Sequence, residues 1–312
     1  MNNGGNRLNI VPKKKYYDCS DCVNSNFYYH YNIDYRTSFI DSFGFKYTKA
    51  GHFLNNTLKS SSINRKNIIN RYTDMDYFRV KVKTEDIEDY MEQFLCDNPF
   101  IGVELDTRYC SWIRYYHSRY HSLLIMNYNK QTKACSVYDT FFNAEEQKVD
   151  FESFYIGYKT FFYLTPKKQQ QNNDSLYLVL PKKLSKLLNE TPEQRKEKIT
   201  DFINDIISIE YDNKYNTENI NLTRFMFTFT SFIWSRIKAI DYFHMIQEKL
   251  CDNKNVEIIE KLQIGIECWK KLRGYIIRNI LMRKNVCRNH IETLSHDLVK
   301  IESEMVMLIN QY

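Results

Sequence analysis

The hydrophobic period of this chain changes once, near its middle, and that change limits the folds open to it. Through residue 165 apolar residues come in short β-type runs around one or two helical stretches; in residues 195–312 they recur at a spacing near 3.6. Strands gathered in one half and helices in the other predict an α+β protein, divided here into residues 1–182 and 183–312. Between the halves, "TPKKQQQNNDSLYLVLPKK" (165–183) reads as an exposed polar loop followed by a strand-like run that Pro181 ends.

In the first half, "CVNSNFYYHY" is predicted helical, with Val23, Phe27 and Tyr31 four apart on one face. "TDMDYFRVKVK" reads as a strand, and "TEDIEDYMEQFLCDN" as an amphipathic helix with Thr84 as its N-cap. "PFIGVELD", "YHSLLIMNYN" and "ACSVYDTFF" are three β-type runs, the last two joined through a hairpin turn at "NYNKQTKA". "VDFESFYIGYKTFFYL" supplies a helix and a strand, whereas "GHFLNNTLKSSS" (51–62) reads as loop. The second half offers four helices, over 191–211, 221–250, 255–284 and 289–312, which short connections would arrange as an antiparallel bundle. Thr191 and Pro192 mark the start of the first.

No apolar run approaches the ~20 residues that span a bilayer, and "MNNGGNRLNIVPKKK" lacks an apolar signal core, so a cytoplasmic protein without a membrane partner is expected. Its eight cysteines are then expected to be reduced thiols. The net charge of +6 is spread along the chain. No compact Lys/Arg run alternates with aromatics, which argues against nucleic acid. A mildly basic surface suits an acidic protein or phosphate partner.

Cys19 and Cys22, in "YYDCSDC", raise the question of chemistry. A zinc site would combine them with His117 and His121, whose spacing is permitted, but the two halves lie far apart in sequence. A thioredoxin-like redox couple needs a preceding apolar strand, and "KKKYYDCSDC" has none. The third option is a nucleophile. Cys19 follows Asp18, a good N-cap, and a helix dipole together with a neighbouring imidazolium stabilises thiolate. His121 opens one strand and Asp139 ends the next; their separation of 18 residues spans one hairpin and would set the two side chains together. Helix-borne Cys, strand-borne His and an orienting Asp form the papain-type arrangement of nucleophile, base and orienter. Cys19 is favoured over Cys22 because orphan N–H groups and the dipole act on the first turn. His30, 11 residues beyond Cys19, is too far along the helix to act as its base.

Two blocks, "YDCSDCVNSNFYYHYNIDYRTSFIDSFGFKY" and "IGVELDTRYCSWIRYYHSRYHSLLIMNYNKQTKACSVYD", resemble the butirosin biosynthesis protein H-like family. In that family a Cys leads a helix, a turn follows about 13 residues later, and "H-x3-H" enters a strand before a second strand that ends in Asp. Here Asn32 stands for the usual turn Gly, "NYN" (127–129) replaces "GYD", and no Gln upstream of Cys19 is available as an oxyanion donor. The resemblance implies a papain-like cysteine protease core, an N-terminal helix packed on an antiparallel sheet, followed by a mainly helical C-terminal region. It implies Cys19, His121 and Asp139 as a catalytic triad, with Cys22, His117 and Asp106 near the substrate. The best understood members, including the amide-forming enzyme of closthioamide assembly, move an acyl group from a carrier-protein thioester to an amine in natural-product biosynthesis. The partners implied are an acyl carrier protein and a small amine. No cofactor is expected beyond the 4'-phosphopantetheine that the carrier brings. A cysteine peptidase, a thioester hydrolase and a non-catalytic carrier-binding module are the alternatives on the same fold.

Overall fold

The computed structural model describes residues 14–50, 53–61, 63–113, 120–168, 173–208, 223–282 and 284–312. In chain order it runs through α1 (Cys19–His30), β1 (Lys46–Thr48), β2 (Thr57–Lys59), α2 (Arg65–Tyr72), β3 (Met75–Val80) and α3 (Ile87–Asp97). It continues with β4 (Ile101–Asp106), β5 (Tyr120–Asn129), β6 (Ala134–Asp139), β7 (Asn143–Asp150), α4 (Phe151–Gly157) and β8 (Tyr158–Pro166). Five helices follow: α5 (Asn173–Leu188), α6 (Pro192–Ile207), α7 (Arg224–Leu250), α8 (Asn253–Leu281) and α9 (Arg288–Asn310). The protein is α+β and mostly helical.

Two compact units emerge, and both are discontinuous: residues 1–35 with 74–168, and residues 36–73 with 169–312. The packing thus groups residues 36–73 with the helices, where the sequence alone suggested a single cut after residue 182.

The first unit is a six-stranded antiparallel sheet in the order β3-β8-β4-β5-β6-β7, with α1 packed on β5 and β8. Its core gathers Ile101, Val103 and Leu105 of β4 with Leu123 and Ile125 of β5, Val137 of β6 and Phe161 of β8. Ile87 and Met91 of α3 close the same core. Thr84 does not cap α3; it opens a 3-10 turn, and the α-helix starts at Ile87. β7 escaped the sequence reading because it is an edge strand of polar residues, Glu145 to Lys148, and edge strands tolerate such side chains. The far end of α1 is a Schellman turn: Ile33 N–H reaches the Tyr28 carbonyl at 2.9 Å and Asn32 N–H the Tyr29 carbonyl at 3.0 Å. Asn32, at φ 55°, occupies the left-handed position normally given to Gly.

In the second unit, the expected loop 51–62 contains β2, which pairs antiparallel with β1. Gly44 permits that close approach, since a Cβ there would lie 2.0 Å from the Ser60 carbonyl oxygen. The strand expected to end at Pro181 is instead helix α5 with Pro181 inside it. Tyr177, Leu180 and Leu184 are buried while Leu178 and Val179 are exposed, a helical stripe whose burial outweighs the one backbone bond that Pro removes. Helices α6 to α9 enclose an apolar core around Trp269. Glu302 lies inside it, bound by Arg195 at 2.5 Å, Arg236 at 3.0 Å and the Trp269 indole N–H at 2.8 Å. No helix among the described residues is long and apolar enough to cross a membrane.

Candidate active site

Asp18 fixes the start of α1. Its Oδ1 accepts the Asp21 N–H at 2.8 Å, and Asp21 Oδ2 accepts the Asp18 N–H at 3.2 Å, a reciprocal capping box. The fully buried Asp21 carboxylate also receives the Tyr35 hydroxyl at 2.7 Å. Cys19 is therefore the first residue of the helix, and its N–H and that of Ser20 lie where the helix itself supplies no acceptor. The positive end of the helix dipole falls on this turn.

The other side of the site is built on two neighbouring strands. β5 and β6 pair antiparallel, Leu124 opposite Tyr138 and Ile125 opposite Val137, so the start of β5 and the end of β6 meet at one edge. His121 and Asp139 sit there, both side chains fully buried, with His121 Nε2 2.9 Å from Asp139 Oδ1. An ionised carboxylate only accepts, so Nε2 carries the proton and donates it. The Cys19 side chain raises the pKa of the same ring, and because Nε2 is committed to Asp139, Nδ1 is the nitrogen that remains for a thiol. Ser20 and Ser122, the sequence neighbours of Cys19 and His121, share a hydroxyl hydrogen bond at 3.2 Å that ties the helix start to β5.

Asp139 is held by more than its histidine. The backbone N–H groups of Phe141 and Phe142 each donate to Oδ1 at 3.0 Å, and Trp112 Nε1 donates to Oδ2 at 2.7 Å. Burial would favour the neutral acid, but these bonds and the facing imidazole hold Asp139 below the ordinary carboxylate range. For His121, burial pulls toward the neutral ring, and the hydrogen bond to Asp139 together with the influence of the Asp139 and Cys19 side chains overrides it, raising the pKa to about 9. At neutral pH the ring is thus cationic beside a half-buried thiol, the condition under which a cysteine holds thiolate. The Phe141 and Phe142 rings flank the imidazole, with centroids 5.8 and 5.3 Å away.

The sequence-predicted residues divide into those gathered here and those elsewhere. Cys19, His121 and Asp139 come together. Cys22, one turn further along α1, is only 1% exposed, a packed thiol with no open surface to offer a substrate. Asp106 is likewise turned inward, its carboxylate bound by the Arg108 guanidinium at 3.0 and 2.8 Å while it caps the turn after β4. Both of these side chains are buried in the same unit as Cys19. His117 lies outside the described residues. A third cysteine of this unit, Cys110, is buried, and burial with the Asp139 and Asp106 charges pushes its thiol up to about 12. It is no nucleophile at neutral pH. Among the described residues no group of three or more His, Cys, Asp or Glu side chains is arranged to hold a metal ion.

Sequence reasoning missed Trp112 and the two backbone donors. An Asp at a strand end is an Asx-turn signal, its carboxylate accepting from backbone N–H groups two and three residues on, which would have found Phe141 and Phe142. Trp112 is 27 residues from Asp139 in sequence, and only its amphipathic indole hinted at a buried polar partner. No protein-family model matches this chain, and no curated protein matches it.

Proposed function

We propose that this protein is a cysteine-dependent acyltransferase with a papain-like core, which moves an acyl group from a carrier-protein thioester to an amine through an acyl-Cys19 intermediate. The observation that carries the proposal is the meeting of Cys19, the first residue of α1, with a buried His121 ring whose Nε2 donates to a four-times-bonded Asp139 carboxylate. Each member has the partner its role requires.

In the proposed reaction Cys19 thiolate attacks the thioester carbonyl. The N–H groups of Cys19 and Ser20 at the helix start receive the oxyanion. As the tetrahedral intermediate collapses, the C–S bond to the carrier breaks and His121 gives its Nδ1 proton to the departing sulfur. The amine then attacks acyl-Cys19, His121 takes one amine proton, the amide forms and Cys19 leaves as thiolate. The carrier thioester and amine are consumed, and an amide and a free carrier thiol are produced. Asp139 keeps the ring oriented with Nε2 protonated throughout. Water in place of the amine gives hydrolysis through the same intermediate. Support also comes from the resemblance of the two sequence blocks noted above, whose members act on carrier-bound acyl groups.

The test is product formation from an acyl N-acetylcysteamine thioester and a panel of primary amines, followed by mass spectrometry. Amide from the wild type and none from Cys19→Ala supports acyl transfer. Free acid alone assigns hydrolysis, and neither product from any donor removes the catalytic reading.

A further inference from the structure

Cys22 has no part in the reaction proposed above, yet it sits three residues after Cys19 at the start of the same helix. With a rise of 1.5 Å and 100° per residue on a 2.3 Å radius, Cα atoms three apart in an α-helix are about 5 Å from one another. That lies within the roughly 4.4–6.8 Å that a disulfide spans. Both cysteines are reduced here, one half-buried at the helix start and one 1% exposed behind it.

We propose that Cys19 and Cys22 form a reversible disulfide when the protein meets a hydroperoxide, storing the nucleophile in a protected, inactive form. The part concerning activity rests on the acyl-transfer reading; the disulfide itself does not. Cys19, paired with the cationic His121 ring, attacks the distal peroxide oxygen, the O–O bond breaks, and an alcohol or water leaves with a sulfenic acid left on sulfur. The Cys22 sulfur then attacks the sulfenic sulfur; the S–S bond forms, the S–O bond breaks and water departs. Two thiols have lost two hydrogens, and the hydroperoxide has been reduced.

The fold favours reversal. Cβ atoms three apart in a helix sit further apart than in a relaxed disulfide, so the first turn must tighten as the bond closes. The reciprocal Asp18–Asp21 bonds span that same turn and resist the tightening. A disulfide strained in this way is readily reduced by a thiol. The buried position of Cys22 keeps it from bulk oxidant and reserves it for the sulfur beside it. Cys110, buried and facing the Asp139 and Asp106 charges, has a raised pKa that makes it a poor competing group.

The experiment treats the full chain with one equivalent of hydrogen peroxide, denatures it, alkylates free thiols and maps tryptic peptides. Cleavage after Lys15 and Arg36 isolates Cys19 and Cys22 together, and cleavage after Arg108 separates Cys110 from them. The proposal expects wild-type peptide 16–36 without alkyl groups and lighter by two hydrogens, returning to two alkyl groups after dithiothreitol. In Cys22→Ala and in Cys22→Ser, circular dichroism having shown the fold intact, Cys19 should pass to sulfinic and sulfonic acids that dithiothreitol does not recover. The proposal is overturned if wild-type Cys19 over-oxidises as it does in those variants, if its disulfide partner is Cys110, or if both thiols remain alkylated. A disulfide that forms normally in a protein that never acylates Cys19 would overturn the acyl-transfer reading alone.

Discussion

Asp139→Asn isolates the charge that organises the site while keeping its shape. Asn Oδ1 can still accept from the Phe141 and Phe142 N–H groups and from His121, but its amide NH2 then faces the Trp112 indole N–H across a contact of 2.7 Å. Two buried donors pointed at one another cost about 1–3 kcal/mol. The larger effect is on His121. Its pKa of about 9, against an ordinary 6.5, corresponds to about 3 kcal/mol in favour of the protonated ring. Without the carboxylate, Cys19 is left to oppose burial and the variant ring should titrate well below the wild-type value. Stability follows the same sign. A group whose pKa is raised by folding contributes fully below its unfolded value and loses that contribution as pH rises through the folded one. Wild type should therefore lose up to about 3 kcal/mol between pH 6.5 and pH 9 from this group, and Asp139→Asn should show a smaller decline. NMR titration of the His121 ring, with urea unfolding at several pH values, reads both effects. A wild-type midpoint at or below 6.5, or an unchanged midpoint in the variant, would refute the reasoning.

Further consequences can be checked singly. Trp112→Phe removes one donor from a buried carboxylate and should cost about 1.5–3 kcal/mol by urea unfolding while slowing iodoacetamide capture of Cys19. Glu302→Gln leaves Arg195 and Arg236 buried without their shared counter-charge, and calorimetry should register a loss of about 3–5 kcal/mol. Asn32→Gly should be tolerated at φ 55°, whereas Asn32→Val should cost about 1–2 kcal/mol in thermal unfolding.

The parts of the site that sequence makes legible are those set by local rules. Asp18 before Cys19 is a capping signal readable without a structure, and the hairpin spacing of His121 and Asp139 follows from strand geometry. What sequence hides is long-range. Residues 36–73 look like part of the sheet-bearing half, yet the Phe43 carbonyl is held by Arg195, and those of Ser42 and Gly44 by Arg236, both from helices far along the chain. Pro181 read as a strand end because its local cost is visible, while the burial of Tyr177, Leu180 and Leu184 that outweighs it depends on packing. Trp112 was silent for the same reason, since its hydrogen bond runs from a turn to Asp139 on β6, 27 residues away.

Acylation of Cys19 can be measured directly. The protein is incubated with an acyl thioester and no amine, quenched in acid, and its peptide 16–36 fragmented to locate the added mass. One acyl group on Cys19, absent in Cys19→Ala and retained in Cys22→Ala, is the predicted result. Acyl mass on Cys22, or an unmodified peptide after exposure to varied donors, would contradict it.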